Sequence, residues 1–268
     1  MDSVILFRKS LAEEDEIECA KKYFNVVESR MSIPSGTLVI PRYSSLPFYK
    51  ELVEDCNILG AQLSNSLNQY QYIANLRNWY EDLKKFTPRT WFSLEESIAQ
   101  QECVGSFVLK GNINSRKQLW RTHMYALNKS DIMRVYLNLH DDSLIGEQDI
   151  CVREFEKFKS YGQQINGMPI IKEFRFFVWD KTILSGGYYW SNFPEVVEKY
   201  RPDYQEAIPF VNKIIDIVNC YARFYVIDVG QREDGQYRLI ELNDGQMAGL
   251  SCISPDELYK NLRQVLGA

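Results

Sequence analysis

Glu241 and Asn243 stand two residues apart at the end of the apolar stretch YRLIELNDG, residues 237–245. In a strand, that spacing turns both side chains to one face. A carboxylate there is costly unless it is paired or holds a cation. The preceding RFYVIDVGQREDGQ supplies a partner. Asp234-Gly235 is a two-residue hairpin signal between apolar runs, and a turn centred on it sets Asp228 opposite Glu241 and Val226 opposite Asn243. Carboxylates facing each other across a ladder have Cβ atoms about 5 Å apart and repel. A divalent cation removes the conflict, and the all-oxygen set Asp228, Glu241 and Asn243 suits Mg²⁺. Alternatively, one carboxylate faces solvent or pairs with Arg223 or Arg175. Both readings stay open.

Two basic strand positions could complement such a corner. FVLKG places Lys110 at a strand end before the loop GNINSRK, where an ammonium can meet phosphate oxygens and Gly111 admits close backbone approach. The plainer reading is a lysine leaving the strand for solvent. IIKEFRFFVWDKTILSGGYYW reads as a hairpin turning at Asp180-Lys181. Its alternation puts Glu173, Arg175, Phe177 and Trp179 on one face and Lys172, Phe174, Phe176 and Val178 on the other. Arg175 among aromatics can fork onto a phosphate or carboxylate; a local ion pair with Glu173 is the alternative. The chain has no GxxxxGK[ST] and no GxGxxG, so neither a P-loop nor a Rossmann phosphate site is supported.

These residues need strands to carry them. VILF and GTLVIP read as strands, LAEEDEIECAKKYFNVVESR as one amphipathic helix with an acidic start and a basic end, and LPFYKELVEDC as another helix. LSNSLNQYQYIANLRNWYEDLKKF adds one or two more. This β-α-β-α order predicts a small α/β unit. TPRTW (87–91) punctuates the chain, and a boundary is placed near residue 90. Beyond it the texture is β-rich: SFVLKG, DICVREF, the Arg175 hairpin, and the pair RFYVIDVG and YRLIEL. SPDELYKNLRQVLG closes as a helix with Ser254 as cap, Pro255 first and Glu257 third. The expected fold class is therefore α/β followed by α+β.

Composition bounds the partners. The 268 residues carry a net charge of −5, which argues against a general nucleic-acid-binding face while leaving a local basic cleft open. Six scattered cysteines with no CxxC pair and no signal-peptide pattern point to reduced thiols and a cytoplasmic setting. Two histidines without zinc-type spacing give no structural zinc site. No apolar run is long enough to span a membrane.

Taken in order, FVLKG, ICVREFEKF, EFRFFV, YVIDVG and LIELNDG resemble the ATP-grasp superfamily. IPRYSSLPFY, NSLNQYQYIANLRNWY, TPRTWF, KGNINSRKQLW with THM, and ELNDGQMAGLS resemble a poorly characterised bacterial and phage group within it. REF and EFRFFV are also similar to eukaryotic cell-division-cycle proteins that help assemble a translation initiation factor. The resemblance implies an N-terminal α/β pre-ATP-grasp unit, residues 1–90, and an ATP-grasp domain of two α+β subdomains, residues 91–268, with nucleotide between the subdomains. It implies that Lys110 contacts the α/β-phosphates and that the backbone around Arg153, Glu154 and Phe155 faces the adenine. Glu154 or Glu156 would hold the ribose, and Arg175 would meet the γ-phosphate or the acyl-phosphate. Asp228, Glu241 and Asn243 match the Mg²⁺ ligands in type and order. With one Gly in GNINSRK, Asn112, Ser115, Arg116 and Lys117 are expected to share the phosphate work, with Lys172 nearby.

The implied cofactors are ATP and Mg²⁺, and the implied reaction joins a carboxylate to an amine, on a peptide or protein by analogy. A non-catalytic ATP-binding assembly factor, and a phosphotransferase or nucleic-acid-end ligase, are the alternatives. Substrate contacts are expected from Arg42, Tyr43, the aromatics of NQYQYIANLRNWY and the region of His123, with Gln246 and Ser251 near the acceptor. Tyr70, Tyr72, Trp79 and Tyr80 read more readily as packing aromatics.

Overall fold

The computed structural model describes residues 2–8, 10–43 and 48–267; part of IPRYSSLPFY, residues 44–47, lies outside them. The chain forms two compact units, neither continuous in sequence. One comprises Met1–Ala74, Phe174–Asp228 and Glu241–Ala268, the other Asn75–Glu173 and Val229–Ile240. This is a different division from the two consecutive domains expected from the sequence.

In the first unit the strand Ser3–Phe7 lies between Asn25–Val27 and Leu38–Arg42, all parallel, with Gln62–Leu63 at the edge. Ser3–Phe7 and Leu38–Arg42 are buried throughout, as parallel strands between helices are. The helix expected over residues 11–30 is shorter. It runs Glu14–Lys21 with its acidic start and basic end, and the chain then re-enters the sheet. Val26 and Val27, poor helix formers and good strand formers, pair beside Ile5 and Leu6.

A second sheet has the order Thr182–Tyr188, Glu173–Trp179, Phe224–Gln231, Tyr237–Asp244. Its first hairpin turns at Asp180-Lys181 as expected. Trp179 faces Thr182, and Asp180 takes φ 49°. The core joins Phe7, Ile40, Phe177, Phe224, Tyr259 and Leu262. The closing helix Pro255–Val265 has its Ser254 cap, whose side chain accepts from the Glu257 N–H at 3.3 Å. The first sheet's outer layer packs Tyr49, Leu52 and Cys56 of the helix Tyr49–Ile58 onto Val4, Leu6 and Val39.

In the second unit an antiparallel sheet has the order Thr90–Trp91, Ile150–Glu154, Phe107–Gly111, Tyr125–Ala126. The helix Ile132–His140 buries Ile132, Val135 and Leu139 against Phe107, Leu109 and Val152. A hairpin the sequence reading missed joins Ser160–Ile165 to Met168–Ile171. Its turn, Asn166-Gly167, has φ 49° and 90°, the left-handed pair that two-residue hairpins favour.

The turn at Asp234-Gly235 exists with a different register. The Arg232 N–H donates to the Gln236 carbonyl at 2.8 Å, and the Gly235 N–H to the Arg232 carbonyl at 2.9 Å. The loop thus has three residues, Glu233 to Gly235, with Gly235 at φ 86°. An uninterrupted ladder from this turn would place Asp228 opposite Ile240, not Glu241. Further along, burial steps from Leu239 to Leu242 and then to Asp244, the pattern an extra residue in the strand produces. No helix among the described residues is long and apolar enough to cross a membrane.

Candidate functional site

The site residues named from sequence divide between the units. Arg175, Asp228, Glu241 and Asn243 belong to the first, and Lys110, Lys117, Arg153, Glu154, Phe155, Glu156 and Lys172 to the second.

In the first unit, strand residues bring three polar groups together inside the core. Arg175 forks onto Asp228, Nε to Oδ1 at 2.8 Å and Nη2 to Oδ2 at 2.7 Å. Asn243 Nδ2 donates to the same Oδ2 at 2.9 Å. Asp228 is 1% exposed and Arg175 7%, so the pair is desolvated and must be satisfied by these partners. Arg175 Nη1 also donates to the Gly249 carbonyl at 2.8 Å, and the guanidinium lies 4.7 Å from the Tyr189 ring centroid. Glu241 is half-buried. Of the two sequence readings for the carboxylates, the pairing of Asp228 with Arg175 is present. The donor set Asp228, Glu241 and Asn243 still fits a hard cation: all three offer oxygens.

The loop that follows is fastened by a second arginine. Arg42 ends the strand Leu38–Arg42 and is fully buried. It donates to the carbonyls of Gly245 and, at 3.0 Å, Ala248. The Tyr43 N–H donates to the Gln246 carbonyl at 2.8 Å. Arg42 Nε pairs with Glu16 at 2.8 Å, and Glu16 accepts the hydroxyls of Tyr43 and Tyr259. Burial acts to lower the Arg42 pKa, but Glu16 and the two phenols outweigh it, and the guanidinium stays charged above its ordinary value. Arg42 is thus a buried clamp for this loop and not the exposed substrate contact expected from IPRYSSLPFY. Gln246 is buried too.

In the second unit Lys110 is 5% exposed, so it does not lead the strand into solvent. Gln148 organises the loop after it, accepting the N–H groups of Ile113 and Asn114 at 3.2 Å each. Arg116 is taken by Asp142, its Nε donating to the two carboxylate oxygens at 2.9 and 2.8 Å, and Lys117 beside it is half-buried. His123 is a polar neighbour of Thr122, with Nδ1 2.8 Å from the hydroxyl. Lys172 is buried between two strands, its N–H donating to the Lys159 carbonyl at 2.7 Å.

The segment expected to face adenine is partly committed. The Arg153 side chain donates to Thr87 Oγ1 at 2.6 Å, Thr90 Oγ1 at 3.3 Å and the Ile240 carbonyl at 2.9 Å. The N–H groups of Glu154 and Phe155 donate to the carbonyls of Arg89 and Ser106 at 2.8 and 2.9 Å. Glu156 is forked by Arg238 at 2.9 to 3.1 Å, which leaves Glu154 as the freer of the two ribose candidates. Phe155 packs with Trp120 and Tyr125, centroids 6.3 and 5.4 Å away. The sequence reading did not single out Trp120 or Tyr125, although KQLWRTHMYA lies directly after the phosphate loop. A cleft of about 360 Å³ beside this segment is lined by Glu154 to Lys157 and Arg232 to Asp234. Its mainly charged walls are a poor match for a purine face.

A family model described as an ATP-grasp domain, family 3 of its clade, matches residues 97–262. No curated protein matches the chain. Among solved structures, the RimK domain ATP-grasp protein from Sphaerobacter thermophilus is 15% identical, covers 97% of this chain and 98% of its own, and has a TM-score of 0.60. D-cycloserine synthetase DcsG is 10% identical over 98% and 99% of the two chains, TM-score 0.63. The ATP-grasp ligase PsnB, solved with minimal precursor, Mg and ADP, is 12% identical over 99% and 98%, TM-score 0.58. At these identities the likeness is one of fold.

Proposed function

This chain belongs to the ATP-grasp family whose model it matches, and from that premise we propose that it is an ATP-dependent ligase joining a carboxylate to an amine on a peptide or protein. Residues 1–90 form the pre-ATP-grasp part and residues 91–268 the nucleotide-binding domain in this reading. The observation that carries it is the meeting of Arg175 and Asn243 on the buried Asp228, with Glu241 two residues from Asn243. DcsG is a synthetase and PsnB a ligase solved with Mg and ADP, which supports ATP and Mg²⁺ here.

Asp228, Glu241 and Asn243 would hold Mg²⁺, which would offset charge on the transferring phosphoryl group. Lys110 and Lys117 hold the nucleotide phosphates in line, and Arg175 draws charge from the γ-phosphate. The substrate carboxylate oxygen attacks the γ-phosphorus and ADP leaves. The amine then displaces phosphate from the acyl-phosphate. No protein nucleophile is required, and Phe155 with Trp120 and Tyr125 offers the aromatic surface for the base.

Mass spectrometry of nucleotide products, with cell extract as acceptor pool, tests the reading. ADP with phosphate supports it, whereas AMP would mean adenylation. Bound ATP with no turnover against any acceptor would favour an ATP-binding assembly factor. Glu241→Ala is expected to weaken Mg²⁺-dependent ATP binding at least tenfold in calorimetry while the circular dichroism spectrum is retained.

A further inference from the structure

We propose that Arg175 is a resident counter-cation of this site, holding Asp228 against a lone divalent metal and releasing it only when nucleotide phosphate arrives. The inference rests on the nucleotide reading above. A carboxylate offers about four lone-pair positions. Oδ2 of Asp228 already takes two donors, Arg175 Nη2 and Asn243 Nδ2, and Oδ1 takes Arg175 Nε. A divalent cation claiming Asp228 must therefore displace the guanidinium or sit beside it, two positive charges in a buried setting where screening is weak. A metal that comes with polyphosphate meets no such barrier. The fork of Nε and Nη2 that matches a carboxylate matches phosphate oxygens equally well, so Arg175 exchanges one anion for another.

Two further contacts of Arg175 help to keep the exchange local. Nη1 is held by the Gly249 carbonyl and the guanidinium face by Tyr189, so the head group keeps two fixed contacts while its forked edge changes partner. The consequence is coupling: metal binds weakly alone and tightly with ATP, and the coupling passes through one side chain.

The test titrates Mn²⁺ alone by electron paramagnetic resonance against the wild-type chain and Arg175→Gln. Mn²⁺ alone should bind at least tenfold more tightly to the variant, while calorimetry shows its Mg²⁺–ATP affinity reduced at least tenfold. Equal Mn²⁺ affinity, or weaker binding in the variant, overturns the inference. If Arg175→Gln does not fold, the Arg175 Nε–H resonance of ¹⁵N-labelled wild type decides, assigned with Arg175→Lys. It should hold still with Mg²⁺ alone and move with Mg²⁺ and ATP; movement with Mg²⁺ alone, or with neither, overturns the proposal. Wild-type chain that binds no Mg²⁺–ATP would bring down the nucleotide reading and this inference with it. Intact ATP binding with unchanged Mn²⁺ affinity would remove this inference alone.

Discussion

Two arginines of one unit, Arg42 and Arg175, are each buried against a carboxylate and each grip the loop after the strand Tyr237–Asp244, yet they are built for different ends. Arg42 gives its donors to Glu16, the Tyr43 hydroxyl and the carbonyls of Gly245 and Ala248, with the rings of Tyr43 and Phe177 at 4.5 and 5.2 Å. Glu16 in turn accepts two phenols. Such a closed network has no use for a ligand. Arg175 shares its carboxylate with the Asn243 amide and also meets the Tyr189 ring and the Gly249 carbonyl. Side chains of the same type, one fully buried and one 7% exposed, therefore differ in whether an anion could replace their partner.

The strongest way to break that contrast is to remove Arg42. Arg42→Met leaves Glu16 buried without its cation and frees the carbonyls of Gly245 and Ala248. The expected cost is about 3–5 kcal/mol, read as a lower urea midpoint. A loss under about 1 kcal/mol would mean that the clamp is not structural. Replacing Glu16 with Met in the same chain should restore part of the stability, since the uncompensated charge is then gone.

How much of this was legible follows the same division. Asp228, Arg175 and Asn243 stood out because charged or amide side chains interrupted apolar strands, and period-two alternation showed which could share a face. Glu16 and Arg42 did not. Glu16 sits among Glu13, Glu14, Asp15 and Glu18, where a carboxylate reads as solvated surface, and its partner lies 26 residues away in sequence. Periodicity within one helix cannot reveal a charge partner on a distant strand. The strand Asn25–Val27 was lost to a helix for a related reason. Its pairing with Ser3–Phe7 is non-local, and three residues are too few to show their own period. The Asp234-Gly235 turn was legible as a turn but not in length, because a three-residue loop with glycine last uses the same two residues.

A third buried carboxylate in the unit sharpens the contrast, since it has no guanidinium of its own. Burial pushes the Asp244 pKa up to about 7, against the pull of hydrogen bonds from Gln246 and the charge of Arg42. Its unfolded value is about 3.9. The folded chain therefore binds the extra proton between those values, and stability falls as pH rises from about 4 to about 7, then levels. With about 1.4 kcal/mol per pK unit, the fall is roughly 2–4 kcal/mol, measured by urea unfolding with chelator present. Asp244→Asn should flatten that slope and be the more stable chain above pH 7. A slope that persists in the variant would assign it to another group.

The finest comparison neutralises the two paired carboxylates without changing their shape. Glu16→Gln leaves Arg42 buried with no exposed edge, and Gln must still face two phenols and a guanidinium. Asp228→Asn leaves Arg175 its Gly249 carbonyl and Tyr189 face, at 7% exposure. An unpaired buried charge costs more the more completely it is shut from water. Glu16→Gln is therefore expected to be the costlier change by about 1 kcal/mol in paired urea titrations. Equal costs would mean that Arg175 is as firmly built in as Arg42, and an arginine so fixed would have little freedom to exchange Asp228 for phosphate.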